Sequence, residues 1–201
     1  MRSIAWPGLT AALLVLGACA TMPKGIALPD LGSWDTRVEV LSRLEEWTFK
    51  GRIAVKAGDD GFNGKINWAQ QGDAFNTTVG GPLGVGTVRI EGDGRGIVLT
   101  DKDGEETALV DAEFDLQMRY GWTIPVASLR YWALGIPDPG RPATTDFDDE
   151  GRLVRLRQNT WTVEIQRYQE GGGQPMPRIL TATSPDTRVR MVIDHWVFFG
   201  R

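Results

Sequence analysis

The sequence predicts an antiparallel β-meander, closing as a barrel or a sandwich, with helices inserted part-way along it. Three observations carry that fold class. Runs that alternate apolar and polar residues recur at roughly ten-residue spacing, the period-two signature of half-buried strands. Turn clusters such as Gly58-Asp59-Asp60-Gly61, Gly92-Asp93-Gly94 and Ser184-Pro185-Asp186 separate those runs. Two stretches of helical patterning, 111–120 and 125–134, interrupt the series. The 201 residues, 41% hydrophobic and 24% charged, suffice for one sizeable core plus a tail.

Residues 1–18 read as a lipoprotein signal peptide that takes no part in the fold. Arg2 supplies the positive start, and Leu9 to Leu16 is an apolar stretch well short of the ~20 residues that span a bilayer. Leu16-Gly17-Ala18-Cys19 resembles the bacterial lipobox, in which small residues precede a cysteine that is diacylated before cleavage. Cys19 is the chain's one cysteine and stands where lipidation needs it, which favours acylation over an ordinary signal peptide. Each buried CH₂ contributes ~0.8 kcal/mol, so a triacylated Cys19 would hold the protein at a membrane surface. Ala20 stands where an aspartate would retain the protein in the inner membrane, and this resembles the outer-membrane sorting pattern.

Residues 19–34, with Pro23, Pro29 and scattered glycines, read as a lipidated tether, and 35–201 as a single β-barrel domain. A helix is expected from Asp35 to Trp47, capped by Ser33 or Asp35. Val40, Leu41, Leu44 and Trp47 take one face, and Arg37, Glu39, Arg43, Glu45 and Glu46 the solvent face. Strands are expected at Phe49–Lys56, Gly64–Trp68, Phe75–Val79, Thr87–Glu91, Ile97–Thr100, Leu153–Gln158, Trp161–Tyr168, Arg178–Thr183 and Val189–Val197. Asp111 caps a helix that stops at Gly121. A further helix runs from Pro125 to Leu134, with Leu129, Trp132 and Ala133 on one face and Gly135 as its stop. Helices placed mid-meander suit a plug over one end of a barrel.

Composition excludes much chemistry. A net charge of −4 argues against a nucleic-acid binder. One cysteine and one histidine, His195, leave no internal disulfide and no cysteine- or histidine-rich metal site. Gly92-Asp93-Gly94-Arg95-Gly96 opens no helix and reads as a turn rather than a phosphate loop. Asp101-Lys102-Asp103-Gly104 lacks the distal glutamate of a calcium loop. No Gly-x-Ser-x-Gly elbow exists, and Asp194-His195 in a terminal strand reads as a hydrogen-bonded rim pair. No enzyme activity and no cofactor are expected.

Eight tryptophans against three tyrosines is the unusual feature. Trp68, Trp161 and Trp196 occur in alternating strands and Trp132 on the second helix. Inward-facing indoles either fill a core or line an apolar cavity beneath a helical lid; the residues alone leave both open. Gly80-Gly81-Pro82-Leu83-Gly84-Val85-Gly86 is an uncharged loop whose Leu83 either folds back into the core or protrudes onto an apolar surface.

The lipobox, Gly51-Arg52-Ile53-Ala54-Val55, Trp68-Ala69-Gln70-Gln71, Gly81-Pro82-Leu83-Gly84, the run from Ile124-Pro125 to Ile136-Pro137, Gln158-Asn159-Thr160-Trp161, Met176-Pro177 and Ile193-Asp194-His195-Trp196 are together similar to the LolB family of outer-membrane lipoprotein receptors. The run beginning at Ile124 is the most specific piece. The resemblance implies an incompletely closed antiparallel β-barrel, mainly β with a few helices, with a helical plug and an apolar cavity. It implies a monomer, lipid-anchored at the periplasmic face of the outer membrane. Such a receptor takes triacylated lipoproteins from the periplasmic carrier LolA and places them in the inner leaflet of outer-membrane lipid. Cys19 would carry the lipid, Trp68, Trp132, Trp161 and Trp196 would line the acyl-chain cavity, and Leu83 would lead the membrane-insertion loop. Gly80-Gly81 departs from the polar residue usual before that proline. Two other readings stay in play: a lipocalin-like carrier of small apolar ligands, echoed by Gly32-Ser33-Trp34, and a ligand-free outer-membrane scaffold.

Overall fold

The computed structural model describes residues 25–80, 86–93, 95–111, 114–115, 118 and 125–200. Cys19, Leu83 and most of the helix expected at 111–120 lie outside them.

The strands are β1 (Glu46–Ala57), β2 (Asp60–Gln71), β3 (Ala74–Gly80), β4 (Val88–Asp93), β5 (Gly96–Thr100), β6 (Glu106–Leu109), β7 (Ala143–Phe147), β8 (Leu153–Gln158), β9 (Trp161–Gly171), β10 (Gln174–Thr183) and β11 (Thr187–Phe198). They form one sheet in the order β6-β5-β4-β3-β2-β1-β11-β10-β9-β8-β7, every neighbouring pair antiparallel. Two meanders thus meet where β1 pairs with β11, and the free edges are β6 and β7. The sheet curls but does not close. Two helices are bounded among the described residues, α1 (Trp34–Ser42) and α2 (Val126–Leu134), and Phe114, Asp115 and Met118 are also helical; α2 falls in the chain between the two edge strands.

Alternation builds the inner face. Trp47, Phe49, Ile53 and Val55 of β1 are buried, while Lys50, Arg52 and Lys56 are exposed. On β11, Val189, Met191 and Ile193 point inward, and then the phase changes to Trp196 and Phe198. A bulge opposite Lys50/Gly51 supplies the extra residue, and it leaves Asp194 and His195 both exposed. Asp194 accepts a bond from Arg52 at 3.0 Å.

Several boundaries differ from those the pattern suggests. α1 ends at Ser42, and Trp47 belongs to β1, where a ladder to both β2 and β11 outweighs one more helical turn. Ser33 is the cap, its hydroxyl accepting from the Thr36 amide at 3.1 Å. The stretch expected as tether is partly folded. Ile26 and Leu28 donate their amides to the carbonyls of Phe198 and Gly172, each at 2.8 Å, and Leu28 and Leu31 join the core. The folded body therefore starts ahead of Asp35. Strands β6 and β7 carry no clear alternation in the sequence because edge strands bury little; four of the five β7 residues are exposed.

Arg37, expected on the solvent face of α1, is buried. Its Nη2 donates to the Pro175 carbonyl at 2.8 Å and the Leu134 carbonyl at 3.4 Å, and the guanidinium lies 5.9 Å from the Tyr168 ring centre. Leu134 ends α2, where carbonyls have no partner within the helix, so the cation suits the site electrostatically. Burial lowers the Arg37 pKa and pushes the Tyr168 hydroxyl up to about 12. Removing the side chain would orphan two carbonyls and empty a buried volume. Arg37→Ala is therefore expected to cost ~2–4 kcal/mol in denaturant unfolding. A loss below ~0.5 kcal/mol, the range of ordinary surface changes, would contradict that.

Candidate functional site

All four tryptophans singled out from the sequence are buried: Trp68, Trp132, Trp161 and Trp196. They form two groups. In the larger, Trp68 stacks on Trp47 at 6.3 Å and on Phe49 at 6.1 Å, and Trp196 lies 5.7 Å from Trp47 and 5.3 Å from Phe49. Phe75 and Phe198 flank the group, stacked at 4.8 Å on Trp68 and 5.6 Å on Trp196. Register explains the assembly, since Phe49 is the ladder partner of both Trp68 and Trp196. In the smaller group, Trp132 of α2 meets Trp161 of β9 at 5.8 Å.

The indole N–H groups are held by residues that stand in the sequence motifs, Gln70, Gln158 and Pro177, but whose role the motifs alone do not reveal. Trp68 Nε1 donates to Gln70 Oε1 at 3.0 Å, and Gln70 passes a bond on to the Gly72 carbonyl. Trp132 Nε1 donates to Gln158 Oε1 at 3.0 Å, while Gln158 Nε2 donates to the carbonyls of Asp138 and Arg141, each at 2.8 Å. Trp196 Nε1 donates to the Pro177 carbonyl at 3.1 Å. A buried amide beside an inward tryptophan was the available signal, because an indole donor inside a core needs an acceptor. Gln158 also ties α2 and the chain after it onto β8, so the plug and the barrel wall are one unit.

An open cleft runs along the arm from β3 to β6 and continues beneath α2. One part, of about 600 Å³, is lined by Phe75, Ile97, Val98 and Leu109 among others; the next, of about 670 Å³, shares Phe75, Ile97 and Val110 and reaches Val126 and Tyr131. Neither lining includes the four tryptophans; Trp68 stands one layer behind Phe75. Charged pairs ring the second part: Arg95 with Asp93 at 2.7 Å, Arg130 with Asp73 at 3.2 Å, Arg141 with Asp138 at 3.6 Å. Val110 and Phe114 beside it are 85% and 61% exposed. Arg130 also lies 4.6 Å over the Tyr131 ring, so the lid helix is clasped to the β2–β3 turn at the cleft wall.

The segment carrying Leu83 lies outside the described residues. Its flanks are described: Gly80 is the ladder partner of Lys65, and a Cβ on Gly80 would come within 2.7 Å of Thr87 Oγ1, so the chain leaves and re-enters the sheet at one place.

The sequence profile of the family described as "Outer membrane lipoprotein LolB" matches residues 45–196, the span from β1 to Trp196. The chain belongs to the LolB family. Among similar proteins, the outer-membrane lipoprotein LolB of Nitrosococcus oceani is 35% identical over 187 residues, covering 92% of each chain. That of Alkalilimnicola ehrlichii is 34% identical over 186 residues, again 92% of each. A LolA superfamily protein from Nitrosomonas europaea shares the fold with a TM-score of 0.53 at 8% identity, over 84% of this chain and 94% of that one. LolB-family membership places the protein at the outer membrane as a receptor in lipoprotein localisation, not an enzyme.

Proposed function

We propose that this LolB-family protein, anchored through a lipid on Cys19 at the periplasmic face of the outer membrane, accepts triacylated lipoproteins from the carrier LolA and releases them into the inner leaflet. The observation that carries the reading is a buried aromatic interior, centred on Trp47, Phe49, Trp68 and Trp196, that meets an open, largely apolar cleft through Phe75, whose ring stacks on Trp68. Acyl chains would enter along the cleft, displace Phe75 from Trp68 and lie against the indoles, with Trp132 and Trp161 bounding the site under the lid. No covalent chemistry is required. Chains moving between two apolar interiors exchange like surroundings, whereas crossing water at ~25 cal/mol per Å² would cost tens of kcal/mol. The two openings must therefore meet, and direction comes from relative affinity.

The lipocalin-like alternative gains nothing from Gly32-Ser33-Trp34, which precedes a helix rather than opening the first strand, as its place in the sequence implies; Trp34 packs at 4.9 Å against Phe147 of β7. Adding acylated lipoprotein is expected to change the tryptophan fluorescence, and adding the same protein without acyl chains is not. Trp132→Ser, which removes the Trp161 contact and the Gln158 bond, should weaken acceptance roughly ten-fold. An unchanged spectrum with cargo bound would remove the indoles from the site.

A further inference from the structure

The outer face of the central strands is strongly basic in a chain whose net charge is −4. Lys50, Arg52 and Lys56 of β1, Lys65 of β2, and Arg188 and Arg190 of β11 are all exposed on it. Among the described residues of β1, β2 and β11, the acidic side chain on that face between the levels of Lys50 and Lys56 is Asp194, paired with Arg52. Glu46 lies beyond one end, exposed Asp59 and Asp186 lie in the turns beyond the other, and Glu164, two strands from β11, pairs with Arg155. At ~3.3 Å per residue and ~4.8 Å between strands, the patch measures roughly 20 by 10 Å.

Its internal arrangement is unfavourable. Lys56 stands directly opposite Arg188, and Arg52 directly opposite Lys65. Like charges in such cross-strand positions destabilise a sheet. Elsewhere this sheet does the reverse: Arg155 lies opposite both Asp146 and Glu164 and pairs with them at 3.7 and 2.9 Å. Cross-strand repulsion at the β2–β1–β11 patch, on the same face where the β7–β9 charges are paired, points to a counter-charge supplied from outside the molecule.

We propose that this face docks on the anionic phospholipid headgroups of the membrane. A flat, strand-built patch matches a planar charged surface rather than a pocketed ligand, and clusters of four to eight Lys/Arg are what such surfaces attract. Anionic lipid is within reach of a protein of the outer membrane. Continuity supports the placement: Gly25, the first described residue and part of the stretch expected as tether, lies against Val197, on the same outer face of β11. The inference rests on the outer-membrane assignment and adds an orientation to the proposed receptor.

The test uses the chain from Ala20 onward, which keeps every core residue and carries no lipid. Co-flotation is measured with vesicles of phosphatidylethanolamine plus phosphatidylglycerol, and with neutral phosphatidylcholine vesicles. The parent should bind the anionic vesicles, and binding should weaken with salt over the ~8–10 Å Debye range. A variant with Lys56→Gln, Lys65→Gln, Arg188→Gln and Arg190→Gln should lose roughly several-hundred-fold in affinity, about five-fold per charge. Its thermal midpoint should hold or rise, since exposed like-charge contacts are relieved. Equal binding of parent and variant, or of both vesicle types, overturns the proposal. So does a variant that keeps vesicle binding but no longer binds the carrier, which would make the face a protein dock. No lipoprotein is present in the assay, so its failure leaves the receptor reading standing, and the reverse also holds.

Discussion

Leu83→Glu is expected to fold and to accept cargo from the carrier normally, yet fail to deliver it to a bilayer. Leu83 sits at the centre of an uncharged segment flanked by glycines, after Pro82. One leucine entering an apolar interface contributes ~1.5–3 kcal/mol, too little to anchor a protein but enough to bias where acyl chains are released. A carboxylate in hydrocarbon instead costs ~2.5–3.5 kcal/mol. The combined difference corresponds to a drop in delivery of roughly 10³-fold or more. Acceptance depends on the cleft and the aromatic interior and should not change. Thermal melting, carrier-to-receptor transfer and receptor-to-liposome transfer read the three parts separately. A variant that unfolds would show that Leu83 is a core residue, and one that delivers at the parental rate would end its insertion role.

The largest stability effect is expected at Gly51. A Cβ there would stand 2.2 Å from the Val192 carbonyl oxygen and 3.0 Å from the Ile193 Cα, both backbone atoms of the bulged strand β11. No rotamer change relieves such a clash; the β1–β11 ladder must open at the seam that joins the two meanders. Gly51→Ala should therefore cost ~3 kcal/mol or more and lower the Tm by roughly 6–12 °C. Gly58→Ala is the control. Its site is open space with φ +57°, so only the backbone strain of ~1 kcal/mol is expected. Equal melting of the two variants would mean that the bulge absorbs a methyl group.

The meander was legible in the sequence because β1, β2, β9 and β11 bury one face each, so that hydrophobicity tracks the pleat. Pro125 and Gly135 bracketed α2 for the same local reasons that hold in the structure: Gly135 sits at φ +75° as the helix stop. Information about tertiary partners was missing. Trp47 suited a helical stripe and a strand equally well, and two flanking ladders decided it. Arg37 looked like a surface charge because its carbonyl acceptors, Leu134 and Pro175, lie about a hundred or more residues away in sequence. The four tryptophans were legible as inward residues, but their division into two groups follows from the strand order. Phe75 was visible as a strand residue and not as the ring between cleft and indoles, since that role depends on the curl of the β3–β6 arm.

The barrel is expected to take acyl chains directly from another protein. Purified receptor, from Ala20 onward, is mixed with carrier loaded with a triacylated lipoprotein, and the protein partner of the lipoprotein is determined after separation, without membranes, nucleotide or detergent. The lipoprotein is expected to leave the carrier and co-purify with the receptor. If it stays on the carrier, or moves equally well when its acyl chains are absent, the barrel is not an acyl-chain receptor.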